Sequence, residues 1–167
     1  MKDETYYFHQ TPRDIAKKII DTIPFEKGDR VVEPFRGEGA FYDQFPDSVV
    51  KSYAEIEEGI DFRDLDYSNI DYCCSNPPFK LEDKNGKRHN SFWKIVDFFT
   101  QQKIRKQIIL LGNDYCLSTI TPRRLKIIND RGWYIVRIRV MNIKAWRGRY
   151  FLISFGKKKN GFYDFIN

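Results

Sequence analysis

Two consecutive prolines, Pro77 and Pro78, follow a short apolar run and constrain the fold of this chain more than any other feature. Proline has no backbone N–H and cannot continue a central strand, so the chain must leave its sheet at Pro77. Asn76 offers a side-chain carbonyl, and Phe79 adds a flat apolar ring. The Asn76 side-chain carbonyl and a backbone carbonyl of the proline turn are thus two hydrogen-bond acceptors beside an aromatic face. This arrangement suits an exocyclic amino group on a planar ring. A tight turn with a core phenylalanine is the simpler alternative.

Earlier in the chain, residues 30–33 are predicted to form a strand, and a loop with two glycines follows it. The loop contains Gly37 and Gly39, and it is predicted to run into a helix. Glycines with this spacing let the backbone turn sharply and let a ligand approach it closely, although they are also common in surface turns. The third glycine of the dinucleotide fingerprint is replaced by Tyr42, which disfavours nicotinamide binding.

Acidic residues follow in the next segment. Residues 49–55 are predicted to form a strand that ends on Glu55, 16 residues beyond Gly39. This is near the offset at which an acid meets a ribose hydroxyl in nucleotide-binding α/β folds. Asp61 and Phe62 come soon afterwards and would supply another acid and an aromatic ring near the base of a bound nucleoside.

The remaining pattern predicts a single α/β domain over residues 1–167, without a separate target-recognition domain. Thr11 is predicted to cap a first helix that begins at Pro12, and Ser91 and Thr121 are predicted to cap two later helices. Strands that alternate with helices predict a mostly parallel sheet with an antiparallel terminal strand. The predicted strands besides the apolar run before Pro77 are 30–33, 49–55, 107–112, 134–140 and 150–154.

Charge is divided unevenly along the chain. Residues 1–79 hold nine Lys and Arg against 17 Asp and Glu, a net charge of −8, whereas residues 80–167 hold 20 against six, a net charge of +14. The division indicates two ligands of opposite charge, and interleaved aromatic residues favour nucleic acid for the basic half. An ordinary solvated surface is the alternative. The candidate nucleic-acid contacts are Lys80, Lys84, Lys87, Arg88, Trp146, Arg147 and Arg149.

Composition argues against several other classes of protein. No apolar run approaches the ~20 residues of a membrane span, and the N-terminus has no signal-peptide core. Three cysteines and two histidines form neither a disulfide framework nor a metal-binding pattern. We therefore expect a reduced protein without a metal and without a membrane partner. We expect it in the cytoplasm or, if its nucleic acid is DNA, in the nucleoid or nucleus.

These motifs together resemble the S-adenosylmethionine-dependent, N6-adenine-specific methyltransferases in their γ-type order, over roughly residues 8 to 80. In that family a Thr-Pro helix start precedes an acid-Pro-Phe-x-Gly-x-Gly loop, an acidic strand end, an Asp-Phe pair and a final (Asn/Asp/Ser)-Pro-Pro-(Tyr/Phe) motif. The resemblance implies a class I, Rossmann-like methyltransferase fold with S-adenosylmethionine as cofactor. The implied cofactor-binding residues are Thr11, Pro12, Glu33, Phe35, Gly37, Gly39, Glu55, Asp61 and Phe62.

The resemblance also implies how the final motif acts. Asn76 Oδ1 and the Pro77 carbonyl would accept both protons of the adenine N6 amino group. Phe79, which follows Pro78, would stack on a target base that is unpaired or flipped out of its helix. These four residues are the implied catalytic residues.

The target is less constrained than the reaction. DNA is the expected substrate and RNA the next, with target recognition supplied by this domain, by a partner subunit or by a second copy of the chain. The same four-residue motif also occurs in enzymes that methylate a glutamine amide of proteins. A non-catalytic nucleic-acid-binding module with this fold is the third alternative.

Overall fold

The computed structural model describes residues 10–82 and 88–158. These residues form four α-helices and eight strands. The strands are β1 (Arg30–Glu33), β2 (Val50–Tyr53), β3 (Tyr72–Ser75), β4 (Lys80–Glu82), β5 (Arg88–Asn90), β6 (Gln107–Asn113), β7 (Tyr134–Met141) and β8 (Tyr150–Gly156). The helices are α1 (Arg13–Ile20), α2 (Phe92–Gln101), α3 (Asp114–Ser118) and α4 (Pro122–Asp130).

Six strands form one sheet in the order β2-β1-β3-β6-β8-β7, and β4 pairs with β5 in a separate hairpin. Strand β1 runs parallel to both β2 and β3, and β3 runs parallel to β6. Among the described strands of this sheet, only β8 runs antiparallel to the others. It lies between β6 and β7. The predicted α/β fold is thus confirmed. The antiparallel strand is the last one along the chain, but it is not at the edge of the sheet.

The sheet separates two hydrophobic cores. Helix α1 packs in the core on one face, and α2 and α4 pack in the core on the other. The unbroken apolar run of β6 serves both, because Ile108 and Leu110 belong to the second core while Ile109 and Leu111 belong to the first. Alternate side chains of a strand point to opposite faces, so a strand covered on both sides needs apolar residues throughout.

Helix starts agree only in part with the sequence predictions. Thr121 caps α4 as predicted, since its hydroxyl accepts a hydrogen bond from Arg124 N. Thr11 does not cap α1, because Pro12 occupies the N-cap position and its carbonyl accepts the first hydrogen bonds of the helix. Ser91 stands at the N-cap of α2, but its hydroxyl makes no capping hydrogen bond.

The prediction of a helix after the glycine loop is also wrong. Only a single 3₁₀ turn, Tyr42–Gln44, follows the loop. Phe45 is already extended and is buried, and Pro46 follows it, so the chain turns back towards β2 after one turn. Among the described residues, none of the helices is both long enough and apolar enough to cross a bilayer.

Candidate active site

The loops that follow β1, β2 and β3 meet at the carboxyl edge of the parallel strands. Ser75, at the end of β3, donates a hydrogen bond to the carbonyl of Phe35, 3.4 Å away. The backbone N–H of Gly37 donates to Glu55 Oε2 at 2.5 Å. The rings of Phe35 and Phe62 lie 4.7 Å apart between centroids. Motifs that are far apart in sequence are therefore in direct contact at one place.

The glycine loop needs its glycines. Gly37 and Gly39 have φ angles of 50° and 79°, a region that side chains other than glycine adopt at a cost. A Cβ atom on Gly37 would lie 3.0 Å from the Gln10 side chain, and one on Gly39 would lie 3.1 Å from Asp43 Oδ1. Gln10 immediately precedes the predicted Thr-Pro pair, and its Oε1 accepts a hydrogen bond from Glu38 N. The segment before α1 therefore contacts this loop.

Glu33 anchors the far end of the loop. Its side chain is 1% exposed, and its Oε2 accepts a hydrogen bond from the backbone N–H of Tyr42 at 2.6 Å. Burial raises the pKa of this carboxyl to about 9, so it is protonated at neutral pH. Glu33 holds the glycine loop and the 3₁₀ turn together, while its cofactor contact stays a prediction.

The two acids of the next loop have different surroundings. Glu55 is partly exposed, and its Oε1 accepts a hydrogen bond from Glu57 N at 3.1 Å. Asp61 accepts hydrogen bonds from the backbone N–H and the Nε of Arg63, at 2.8 and 2.9 Å. The Arg63 guanidinium also pairs with Asp61 Oδ2 and holds the pKa of that carboxyl below its usual value. A ligand that binds Asp61 must share it with Arg63.

Sequence reasoning missed a cluster that fixes the glycine loop against β2. The Arg36 guanidinium lies over the Tyr53 ring, 4.6 Å from its centroid, and donates to Glu58 Oε1 at 2.7 Å. The Tyr53 hydroxyl donates to the other oxygen of Glu58 at 2.9 Å. The position of Arg36 inside the loop was the only signal for it in the sequence, because Glu58 is contributed by a separate turn.

The Asn-Pro-Pro-Phe loop is held by the residue that precedes α2. Ser91 N donates to the Phe79 carbonyl at 3.2 Å, and Ser91 Oγ donates to the Pro78 carbonyl. In the described part of the chain the Pro77 carbonyl accepts no hydrogen bond, so it is left for another donor. Asn76 Oδ1 is buried, and Phe79 packs against both hydrophobic cores.

Three candidate nucleic-acid contacts lie in the segment between β7 and β8. This segment is at the same edge of the sheet, because Tyr150 pairs with the last residue of β6. Trp146 is partly buried, with its ring 4.7 Å from that of Tyr150, and Arg147 is exposed. Arg149 is paired with Asp114, with 2.8 Å between Nη2 and Oδ2.

The other candidate contacts fall in the β4–β5 hairpin. Lys84 and Lys87 lie outside the described residues, and so do the side chains of Lys80 and Arg88. The backbone places Lys80 opposite Asn90 in the hairpin, which joins the Asn-Pro-Pro-Phe loop to α2. Within residues 10–82 and 88–158, no group of three or more His, Cys, Asp or Glu side chains is arranged to hold a metal ion.

Comparison with known proteins gives a fold but no sequence family. No protein-family profile and no curated protein matches the sequence. Among solved structures, the modification subunit of a proposed type I restriction enzyme from Vibrio vulnificus superposes with a TM-score of 0.65 at 13% identity. The match covers 89% of this chain and 44% of that one. A proposed class I S-adenosylmethionine-dependent methyltransferase from Listeria monocytogenes gives 0.61 at 10% identity, over 90% and 59% of the two chains.

A third match is the T. thermophilus 16S rRNA N2 G1207 methyltransferase, solved in complex with AdoMet and guanosine. Its TM-score is 0.54 at 14% identity, over 91% of this chain and 40% of that one. The chain thus spans less than two thirds of the length of each of these three proteins. Together the likenesses show that the chain has the fold of the class I S-adenosylmethionine-dependent methyltransferases.

Proposed function

We propose that this protein transfers a methyl group from S-adenosylmethionine to the N6 amino group of adenine in nucleic acid, with DNA as the first candidate and RNA as the second. The observation that carries the proposal is the meeting of the glycine loop, Glu55 and the Asn-Pro-Pro-Phe loop at one edge of the sheet. A methyl donor and a planar amine must lie side by side there for transfer to occur.

The residues on the cofactor side fit a cationic nucleoside. Gly37 is exposed and has no side chain, so a ligand can lie against the backbone of the loop there, while the buried Gly39 allows the turn that presents it. Glu55 presents a partly exposed carboxylate that can accept hydrogen bonds from ribose hydroxyls, and Asp61 can accept one from an adenine amino group. When bound, S-adenosylmethionine supplies an electrophilic methyl group on a sulfonium, and the acidic residues around the loop complement its positive charge.

The residues on the target side fit an adenine amino group. Adenine N6 is a poor nucleophile because its lone pair is delocalised into the ring. Asn76 Oδ1 and the Pro77 carbonyl would each accept one N6 proton, which favours the pyramidal nitrogen that develops in the transition state. Asn76 is not a general base, so the proton leaves after transfer, when the nitrogen is cationic. Phe79 would stack on the target base.

The basic half of the chain supports nucleic acid as the substrate. Residues 80–167 carry the net charge of +14, and their segment between β7 and β8 lies at the edge of the sheet that holds the Asn-Pro-Pro-Phe loop. Arg147 and Trp146 in that segment would contact the phosphate backbone and a base. We propose that target recognition is supplied by the basic half of this domain, by a partner subunit or by a second copy of the chain.

The test is methyl transfer with radiolabelled S-adenosylmethionine to four separate pools: unmethylated duplex DNA, single-stranded DNA, RNA and a protein extract. Nucleoside digestion identifies the product. We expect N6-methyladenine with the wild type and a loss of at least ~100-fold with Asn76→Ala, because one transition-state hydrogen bond is removed. Asn69→Ala, an exposed asparagine at the opposite edge of the sheet, is the matched control.

Binding of S-adenosylhomocysteine, measured by calorimetry, separates a failed site from a failed fold. Asn76→Ala should bind it like the wild type, since the loop of Gly37 is unchanged. Label on a glutamine of the protein pool would establish the protein-methylating alternative instead. A wild type that neither binds the cofactor nor transfers label would contradict the proposal and favour a non-catalytic binding module.

A further inference from the structure

A concavity lies on the face of the sheet that carries α2 and α4, at the first turn of α2. Its volume is about 330 Å³, at the lower end of the range typical of small-ligand sites. Helix α2 begins directly after Ser91, which holds the Asn-Pro-Pro-Phe loop, so the first turn of α2 is adjacent to the candidate active site. We call this concavity the Trp93 concavity, and it is lined by Trp93, Lys94, Tyr115, Thr119 and Arg124.

A cation and aromatic rings line this concavity together. The Arg124 guanidinium lies over the Trp93 ring, 5.1 Å from its centroid, and its Nη1 donates to the Thr119 carbonyl at 2.7 Å. These contacts fix the plane of the guanidinium. Its remaining nitrogens make no hydrogen bond or ion pair within the described part of the chain, so they are free to bind an anion.

Two further residues of the concavity face solvent. Tyr115 is 61% exposed, although it is the second residue of α3, which directly follows the buried strand β6. Lys94 is exposed one residue beyond Trp93. A purely structural role, in which Arg124 and Trp93 join α4 to α2, accounts for those two residues. That structural role does not involve the exposed ring of Tyr115 or the charge of Lys94.

We propose that the Trp93 concavity binds a nucleotide that flanks the target adenine in the nucleic-acid substrate. The exposed ring of Tyr115 would stack on the flanking base, and Lys94 and Arg124 would contact its phosphate. This inference rests on the proposed function and extends it, because it names where the strand continues once the target base is in the active site. It places contacts on the side of the Asn-Pro-Pro-Phe loop away from Trp146.

The test is the affinity for a short fluorescein-labelled single-stranded DNA, measured by anisotropy at several salt concentrations with S-adenosylhomocysteine present. Tyr115→Ala should weaken binding by about 10-fold, as expected for one lost base stack, whereas Tyr115→Phe should bind within about two-fold of the wild type. Lys94→Glu should weaken binding and reduce the log–log salt slope by about one. Lys27→Glu, the same charge change in the exposed turn before β1, is the control and should alter neither quantity.

The outcomes separate this inference from the proposed function. If the wild type binds and methylates nucleic acid but Tyr115→Ala and Lys94→Glu behave like the wild type, the inference is wrong and the proposed function stands. Equal effects of Lys94→Glu and Lys27→Glu would indicate general charge attraction and would also overturn it. If the wild type neither binds nor methylates nucleic acid, both are wrong. Unchanged affinity for S-adenosylhomocysteine in every variant shows that each of them is folded.

Discussion

Ser91 Oγ donates a hydrogen bond to the carbonyl oxygen of Pro78, across 13 residues of chain. The Ser91 backbone N–H donates to the carbonyl of the next residue, Phe79. A fully buried serine at the start of α2 thus bonds the second and third backbone carbonyls after Asn76, and it does not bond the first, that of Pro77. The direction in which the loop presents its acceptors depends on a residue outside the motif.

Ser91→Ala should therefore impair the loop without affecting the cofactor. Loss of the hydroxyl leaves the Pro78 carbonyl without its donor, which should lower the free energy of unfolding by about 1–3 kcal/mol. We expect a fall of about 10-fold in the rate of methyl transfer, with unchanged affinity for S-adenosylhomocysteine. Ser68→Ala, which removes an exposed hydroxyl bonded to Asp66, is the control. A wild-type rate in Ser91→Ala would show that the loop keeps its shape unaided.

Glu33 should make the protein less stable as the pH rises. The folded protein holds the proton of this buried carboxyl up to about pH 9, while the unfolded chain releases it near the ordinary pKa of 4.5. Between these values the unfolded state binds fewer protons, so the free energy of unfolding falls by up to about 1.4 kcal/mol per pH unit.

Glu33→Gln should remove this dependence, because the amide resembles the protonated acid and keeps an acceptor for Tyr42 N. Urea unfolding of the wild type and the variant across this pH range measures the difference directly. Glu57→Gln, an exposed substitution of the same kind, should retain the slope of the wild type. Parallel curves for Glu33→Gln and the wild type would mean that Glu33 is ionised in the folded protein.

Gly39→Ala should weaken both the fold and the cofactor site. Its φ of 79° costs a side chain about 1–2 kcal/mol, and the added methyl group would crowd Asp43. Gly28→Ala is a matched control, since Gly28 has a φ of 87°, has nothing within 4 Å of the added atom, and lies in the turn before β1. Both variants should lose stability on thermal unfolding. Only Gly39→Ala should lose affinity for S-adenosylhomocysteine in calorimetry, and equal loss in both would contradict the assigned site.

Asp114→Asn should strengthen binding to nucleic acid. The change removes a negative charge at the edge of the candidate site and releases Arg149 for a phosphate, so the affinity should rise several-fold and the log–log salt slope should steepen by about 0.7–0.9. Asp130→Asn breaks an exposed pair with Lys126 at the far end of α4 and should have no such effect. Unchanged binding in Asp114→Asn would exclude Arg149 as a phosphate contact.

The fold could be predicted from sequence wherever a pattern is local. The apolar run at 107–112 corresponds to β6, and the two glycines spaced by one residue correspond to the sharp loop after β1. The helix expected after that loop was predicted wrongly, because Phe45 is extended and Pro46 follows it, so the chain leaves the helical conformation after one turn. In the structure Phe41 and Phe45 are buried in the core beside α1.

The sequence predicts the motif residues of the candidate site, but not the contacts that hold these motifs in place. The contacts of Arg36 and Ser91 join residues 22 and 13 positions apart, so they depend on the folded topology and not on any local signal. Ser91 has the local sequence of a helix cap, and nothing in that sequence shows that its hydroxyl bonds a loop carbonyl instead. The pair of Asp61 and Arg63 was within reach, since the two residues are neighbours in the same turn.

The position of β8 has a consequence for how the protein is made. During synthesis β6 leaves the ribosome with one edge unpaired, and β7 follows with no neighbour in the sheet, because the strand that joins them is translated after both. The nascent chain must therefore shield the apolar run Ile108 to Leu111 until residues 150–156 arrive and close the gap. The sheet should therefore close only after β8 has been made, and a ribosome that stalls before β8 would release a chain with an open, aggregation-prone sheet edge.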